Sequence, residues 1–351
     1  MIINWEQLKG HDEQRDLFRR SLQRNRLPHA YVLAGPQGIG KRQFGRMLAK
    51  SVFCRSHKLE DLQVCGDCRA CRAFEVNTWP DYIEVGVPEG KNAIPISAIV
   101  GDDTRRGREG LCYELAMSPQ ASDRRVAVIN DAGLMTPEGA NALLKTLEEP
   151  PADSLILLVC DNPDTLLPTI RSRCQIVRFF PLSASDVQDI LLAEDMVDNE
   201  ADAQSIAALC EGSLETARQL LSPELRKLKT AVAKHLQQME AMKPLQVAST
   251  VVTGIEEMSS STADQRQNAQ WLLRFVTDAI RDRLLGLSRG DLSDPLTQRL
   301  GVRSGVDLLG PMLDRTLEAS RQIDSSAPVR LAVEALFDDI ARMFRAAVKR
   351  S

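Results

Sequence analysis

The sequence predicts a helix-rich α/β domain built on a parallel sheet, followed by segments that are helical only. Three observations predict it. Over residues 1–181 short apolar runs alternate with helix-like stretches, the pattern of strands joined by crossover helices. From Ser183 onward the apolar periodicity is that of helices alone. Aromatic residues make up only 4 % of the chain while Leu, Ala, Arg and Glu are frequent, a balance that favours helices over sandwiches or barrels.

Taken in order, residues 5–26 set Trp5, Leu8, Leu17, Phe18 and Leu22 at helical spacing among many charges, so an amphipathic opening helix is expected. Residues 30–34 (AYVLA) read as a strand, 35–42 as a glycine-rich turn and 43–54 as a helix. A cysteine-rich stretch fills 54–71, and 82–85 (YIEV) is the next strand. Residues 101–117 are charged and helical in character, 125–131 (RVAVIND) a buried strand, and 136–149 a helix that Pro150 and Pro151 terminate. Residues 154–160 and 175–179 complete the strands. The layout expected is a nucleotide-binding-like domain over 1–181, a small helical domain over 182–222 and a larger helical one over 223–351. Loops are expected at 259–262 and 286–295, and no internal repeat is present.

A chain of 351 residues has room for two or three domains with their own cores. Its net charge of −4 and pI of about 5.7 exclude a surface that is basic all over, so any DNA contact must be local. No long apolar run occurs and the start, MIINWEQLKGHDEQRDL, has no basic and apolar leader pattern, so no membrane span and a cytoplasmic location are expected. In that reducing compartment eight cysteines point to metal binding or burial before disulfides.

Gly35, Gly38, Gly40 and Lys41 fit the phosphate-loop pattern, in which glycines let backbone N–H groups face phosphates and the lysine reaches the β and γ phosphates. A glycine-rich turn without a ligand is the competing reading, and the strand before and helix after favour the first. The hydroxyl that should hold Mg²⁺ is replaced by Arg42, which cannot ligate a metal. The strand 126–129 ends in Asn130-Asp131, so an amide stands where the metal-side acid belongs. Asp131 can orient a water or serve as a strand-end turn residue; both readings stay open. Cys54, Cys65, Cys68 and Cys71 suit a closed tetrahedral zinc site of structural type, with an iron–sulfur cluster, a redox pair and plain buried thiols as alternatives. Cys112, Cys160, Cys174 and Cys210 lie in apolar surroundings and read as core residues, and His57 as a surface residue. Arg171 and Arg173 sit on a loop after Pro168, where an arginine is ordinarily solvated or ion-paired.

Three stretches together resemble the clamp-loader branch of AAA+ proteins, and within it the bacterial delta-prime type: the cysteine module with the trailing Trp79-Pro80-Asp81, the block 141–151 (NALLKTLEEPP), and Ser172-Arg173-Cys174. The resemblance implies an AAA+ domain carrying a zinc module, a helical lid and a C-terminal helical collar. It implies a place in a hetero-pentamer with gamma/tau ATPase subunits and a delta subunit, which loads a sliding clamp on primed DNA. It makes Arg173 an arginine finger reaching a neighbour's ATP, with Arg171 as the fallback. The gamma/tau motor is the relative to exclude. Arg42, Asn130 and Glu215, the last standing where the motor resembles an arginine, all argue against hydrolysis, while the retained glycines and Lys41 leave weak ATP or ADP binding open. The alternatives are an active motor of gamma/tau type and a zinc-dependent DNA-binding protein, the latter disfavoured by charge and by the lack of a basic recognition helix.

Overall fold

The structure is a computed structural model that describes residues 4–24, 26–102, 104–237, 243–259, 261–290, 295–325 and 327–348. Residues 1–3 of the opening segment, and residues 260 and 291–294 of the two expected loops, lie outside them. The chain divides into two compact units, Met1–Arg218 and Gln219–Ser351.

The first unit holds helices α1 (Asp12–Gln23), α2 (Lys41–Phe53), α3 (Arg69–Glu75), α4 (Ile96–Val100), α5 (Leu111–Ala116), α6 (Pro137–Glu148), α7 (Pro168–Arg171), α8 (Ala184–Ala193), α9 (Glu200–Leu209) and the start of α10 (Leu214–Gln219). Its strands are β1 (Ala30–Ala34), β2 (Tyr82–Val85), β3 (Arg125–Ile129), β4 (Ser154–Cys160) and β5 (Gln175–Arg178). They form one parallel sheet in the order β2-β3-β4-β1-β5. Alternate side chains explain why β1, β3 and β4 read as unbroken apolar runs. Tyr31, Leu33, Val126, Val128, Leu155 and Leu157 pack with Phe18, Phe44 and Phe53 on one face, while Val32, Ala127, Ile129, Ile156 and Leu158 pack with Leu143 and Leu147 on the other. A sheet covered on both faces leaves no polar positions to alternate with.

Two expectations are corrected. The opening helix begins only at Asp12, because Gly10 sits at φ +77 and residues 5–10 form turns that seat Trp5 in the core. The segment 101–117 is mostly loop: Gly101, Gly107 and Gly110 all have positive φ, and helix is confined to α4 before them and α5 after them.

The second unit is helical throughout its described residues: α11 (Pro223–Gln237), α12 (Pro244–Met258), α13 (Thr262–Ser288), α14 (Pro295–Asp324) and α15 (Val329–Val348). Leu272, Phe275, Met312, Leu336 and Phe337 are among its buried core residues. No helix among the described residues is long and apolar enough to cross a membrane.

Candidate functional site

The glycine-rich turn joins the C-terminal end of β1 to the N-terminus of α2, so Gly35, Gly38, Gly40 and Lys41 come together where a phosphate loop belongs. Gly38 is required twice over. Its φ is +75, and a Cβ there would stand 2.3 Å from the Ser213 hydroxyl. The segment 213–215 closes on the loop: the Leu214 N–H donates to the Gly38 carbonyl at 2.8 Å and Gln37 Nε2 donates to Glu215 Oε1 at 3.3 Å.

Lys41 is turned back on its own loop. Its buried ammonium donates to the carbonyls of Gly35 and Pro36, both at 2.6 Å, and to Asp161 Oδ1 at 3.0 Å. Each N–H of the ammonium therefore has an acceptor within the chain.

Beside it, Arg42 and Asn130 converge on a residue that the sequence reading did not single out. Arg42 Nε donates to Glu84 Oε1 at 2.9 Å and Asn130 Nδ2 donates to the same oxygen at 2.7 Å. Arg46 and Tyr82, the latter at 3.0 Å, donate to Oε2. Burial pushes the Glu84 carboxyl up, but the Asn130 hydrogen bond and the Arg42 and Arg46 charges outweigh it and hold the group below the usual carboxylate range. The same burial, with the charge of Glu84, raises the Tyr82 phenol. Glu84 is thus an anion already neutralised by two guanidinium groups. The acceptor beside it, Asn130 Oδ1, is buried and uncharged. A doubly charged cation that demands charged oxygen ligands does not fit this donor set. The signal for Glu84 was a carboxylate inside an apolar strand, YIEV. Asp161, directly after β4, was likewise legible only by position. Asp131 follows Asn130 as an exposed residue in left-handed backbone, φ 51, heading the short turn 132–134.

The four cysteines gather at the ends of two helices. Cys54 caps the C-terminus of α2, Cys68 caps the N-terminus of α3, and Cys71 lies within α3. Buried Lys50 pairs with Glu75, and Phe53 packs on Phe74 and Trp79, tying the two helices together. All four Sγ atoms lie within 4.8 Å of one another, with Cys54–Cys65 at 3.7 Å and Cys65–Cys71 at 4.0 Å. These separations are far beyond a disulfide bond and match the edge, about 3.8 Å, of a tetrahedron of thiolates around a metal at about 2.3 Å. Backbone N–H groups of Cys68 and Cys71 donate to Sγ of Cys65 at 3.3 Å and of Cys68 at 3.5 Å, which favours the thiolate form. Hydrogen bonds from Ser56 and the Cys68 amide pull the Cys65 thiol down to about 6, while burial pushes Cys71 up. The cluster could hold a metal ion. His57 is exposed and no part of it.

Asp81 of the Trp79-Pro80-Asp81 motif is fully buried and accepts from the amides of Gln120, Ala121 and Ser122 at 2.7, 2.8 and 2.8 Å and from the Ser122 hydroxyl at 2.6 Å. It pins the loop that leads into β3.

Arg173 lies just before β5, at the end of the sheet opposite the glycine-rich turn. Because β1 and β5 are parallel with Tyr31 beside Gln175, the length of β1 separates Arg173 from the loop of its own chain, about 13 Å along the strands. Its guanidinium pairs with Glu148 at 2.6 Å, and Arg171 pairs with Asp164. Burial pushes the neighbouring Cys174 thiol up to about 12, and that of Cys160 to about 11, as suits inert core residues.

The family described as DNA polymerase III, delta subunit, matches residues 10–183. The DNA polymerase III subunit delta' of Pseudomonas aeruginosa is 33 % identical over 315 residues, which cover 88 % of this chain and 90 % of that protein. The subunit of the same name from Bacillus subtilis is 33 % identical over 199 residues, 56 % of either chain. The DNA polymerase III subunit tau of Escherichia coli is 32 % identical over 218 residues, 60 % of this chain but only 31 % of its own length.

Proposed function

The chain belongs to the DNA polymerase III delta-prime family of clamp-loader subunits, and from that premise we propose that it does not hydrolyse ATP itself but supplies Arg173 to the ATPase subunit beside it. The observation that carries this reading is the cluster of Arg42, Glu84 and Asn130, in which the chain's own charges stand where the metal of a working phosphate loop would be held. Nucleotide entering the loop must also displace Lys41 from Asp161 and two carbonyls, so ATP or ADP binding is weak and turnover lacks its metal ligands. The carboxylate of Glu215, held over the loop by Gln37, further repels a γ-phosphate.

The placement of Arg173 supports action on another molecule, since its own loop lies at the far end of the strands. At a neighbour's site a planar, permanently charged guanidinium opposes the charge developing on the transferring phosphoryl oxygens, an effect on the order of 10³-fold in rate. The partners in this reading are gamma/tau ATPase subunits, a delta subunit, the sliding clamp and primed DNA, in a cytoplasmic hetero-pentamer. The division into an AAA+ domain over 1–181, a lid over 182–222 and a collar over 223–351 belongs to the same proposal. Zinc, held by Cys54, Cys65, Cys68 and Cys71 in a closed site without an open position, is structural.

The test is ATP hydrolysis by the reconstituted loader with clamp and primed DNA. Arg173→Ala, at matched assembly, is expected to lower turnover, with Arg173→Lys restoring only part of it. Full activity for Arg173→Ala with a large loss for Arg171→Ala moves the finger to Arg171, and no loss for either removes the role.

A further inference from the structure

Arg173 is held by a carboxylate of its own chain. Its Nη2 lies 2.6 Å from Glu148 Oε1. Its Nη1 donates to the Thr169 carbonyl at 2.8 Å and to the Ser172 hydroxyl at 3.3 Å. Glu148 is the last residue of α6, where unpaired carbonyls disfavour a carboxylate and favour a cation. Helix propensity does not explain an acidic side chain at that end, but a partner does, and Arg173 brings its charge there. The pair is open to solvent, with side-chain exposures of 34 % and 50 %, so its contribution to stability is small. Its consequence is geometric. It fixes a long side chain against two elements, α6 and the turn after α7. The Nε–H makes no hydrogen bond to the described residues and remains available to an oxyanion from outside.

We propose that Glu148 is the positioning residue of the arginine finger, holding the Arg173 guanidinium in the pose in which it meets the neighbouring subunit's phosphate. This rests on the reading of Arg173 as a finger acting in trans. A guanidinium already ordered need not be ordered at the moment of reaction, so its charge acts at full strength in the transition state. Glu148 never touches the nucleotide. Its removal therefore alters how fast bound ATP is hydrolysed and leaves ATP binding to the neighbour unchanged.

The experiment is steady-state ATP hydrolysis by the complete loader reconstituted with clamp and primed DNA, comparing wild type, Glu148→Ala, Glu148→Gln, Arg173→Ala and the double variant Glu148→Ala with Arg173→Ala. Assembly of each is matched by size-exclusion chromatography. Glu148→Ala is expected to lower kcat roughly tenfold with KM for ATP unchanged, less than the roughly 10²-fold that a misplaced group can cost, because the bonds of Arg173 to Thr169 and Ser172 remain. Glu148→Gln, which keeps an acceptor at the same reach without the charge, falls between it and wild type. In the Arg173→Ala background Glu148→Ala adds no further loss, since there is no finger left to position. An unchanged or raised kcat for Glu148→Ala, or a full additional loss in the double variant, overturns the positioning role while the finger reading stands. Wild-type kcat for Arg173→Ala overturns the finger reading itself, and the positioning role with it.

Discussion

At the scale of single residues, the loop owes its state to side chains whose charges are spent inside the chain. His11, beneath the loop, is instead kept uncharged. It is 1 % exposed, its Nε2–H donates to the Ile39 carbonyl at 2.6 Å, and its Nδ1 is buried without a partner. Phe179 stands edge-on to the ring at 4.9 Å. Burial lowers its pKa below the ordinary histidine value, more than its backbone hydrogen bonds and the charges of Asp12 and Asp186 raise it. The unfolded chain therefore takes up a proton that the folded chain refuses, so this contribution to stability is full above about pH 6.5 and is lost as pH falls through the lowered folded value. We expect wild type to lose stability between pH 7.5 and pH 5.5, measured by urea unfolding, and His11→Gln, which keeps a donor but cannot charge, to lose less over the same interval. Equal slopes would count against a neutral buried His11. Asp81 gives a second prediction. Hydrogen bonds from Ser122, Gln120 and Ala121 overcome the burial that would raise its pKa, and Asp81→Ala strands those donors beside the buried Arg125. A loss of about 3 kcal/mol is expected in the same assay.

At the scale of elements, the sheet was legible and part of the helix pattern was not. The runs AYVLA and SLILLVC mark β1 and β4 to the residue, because strands buried on both faces have no polar positions to blur them. Residues 101–117 misled because their charges sit at helix-like spacing while Gly101, Gly107 and Gly110 adopt positive φ, which a helix cannot contain. In the site, Lys41, Arg42 and Asn130 were legible from motif position, but Glu84 and Asp161 come from other strands and meet them only through the sheet order. The cysteine module is the element most open to test. Its ligands cap α2 and α3, so metal removal should loosen the segment between Cys54 and Cys71 before it affects the sheet. One zinc per chain is expected by elemental analysis, with Cys68→Ser lowering that content and admitting protease between the two helices while the helices of Gln219–Ser351 stay protected. A zinc-free protein with the module intact would refute the zinc assignment.

At the scale of the whole molecule, a family whose members include delta-prime subunits supplies the setting, and the proposed division of labour rests on where the charges lie. The glycine-rich loop faces Arg42 and Asn130, both bonded to Glu84, whereas Arg173 stands at the opposite end of the sheet, paired with Glu148. In the proposed reading such a subunit contributes position and one guanidinium to a ring whose turnover belongs to other members. The decisive measurement is steady-state ATP hydrolysis by the purified chain alone, at saturating ATP and Mg²⁺. The prediction is no turnover above the protein-free background, because the lysine, the metal position and the segment over the loop are each occupied by groups of the chain itself. Turnover by the isolated chain at the rate of the gamma/tau ATPase measured in parallel would contradict it.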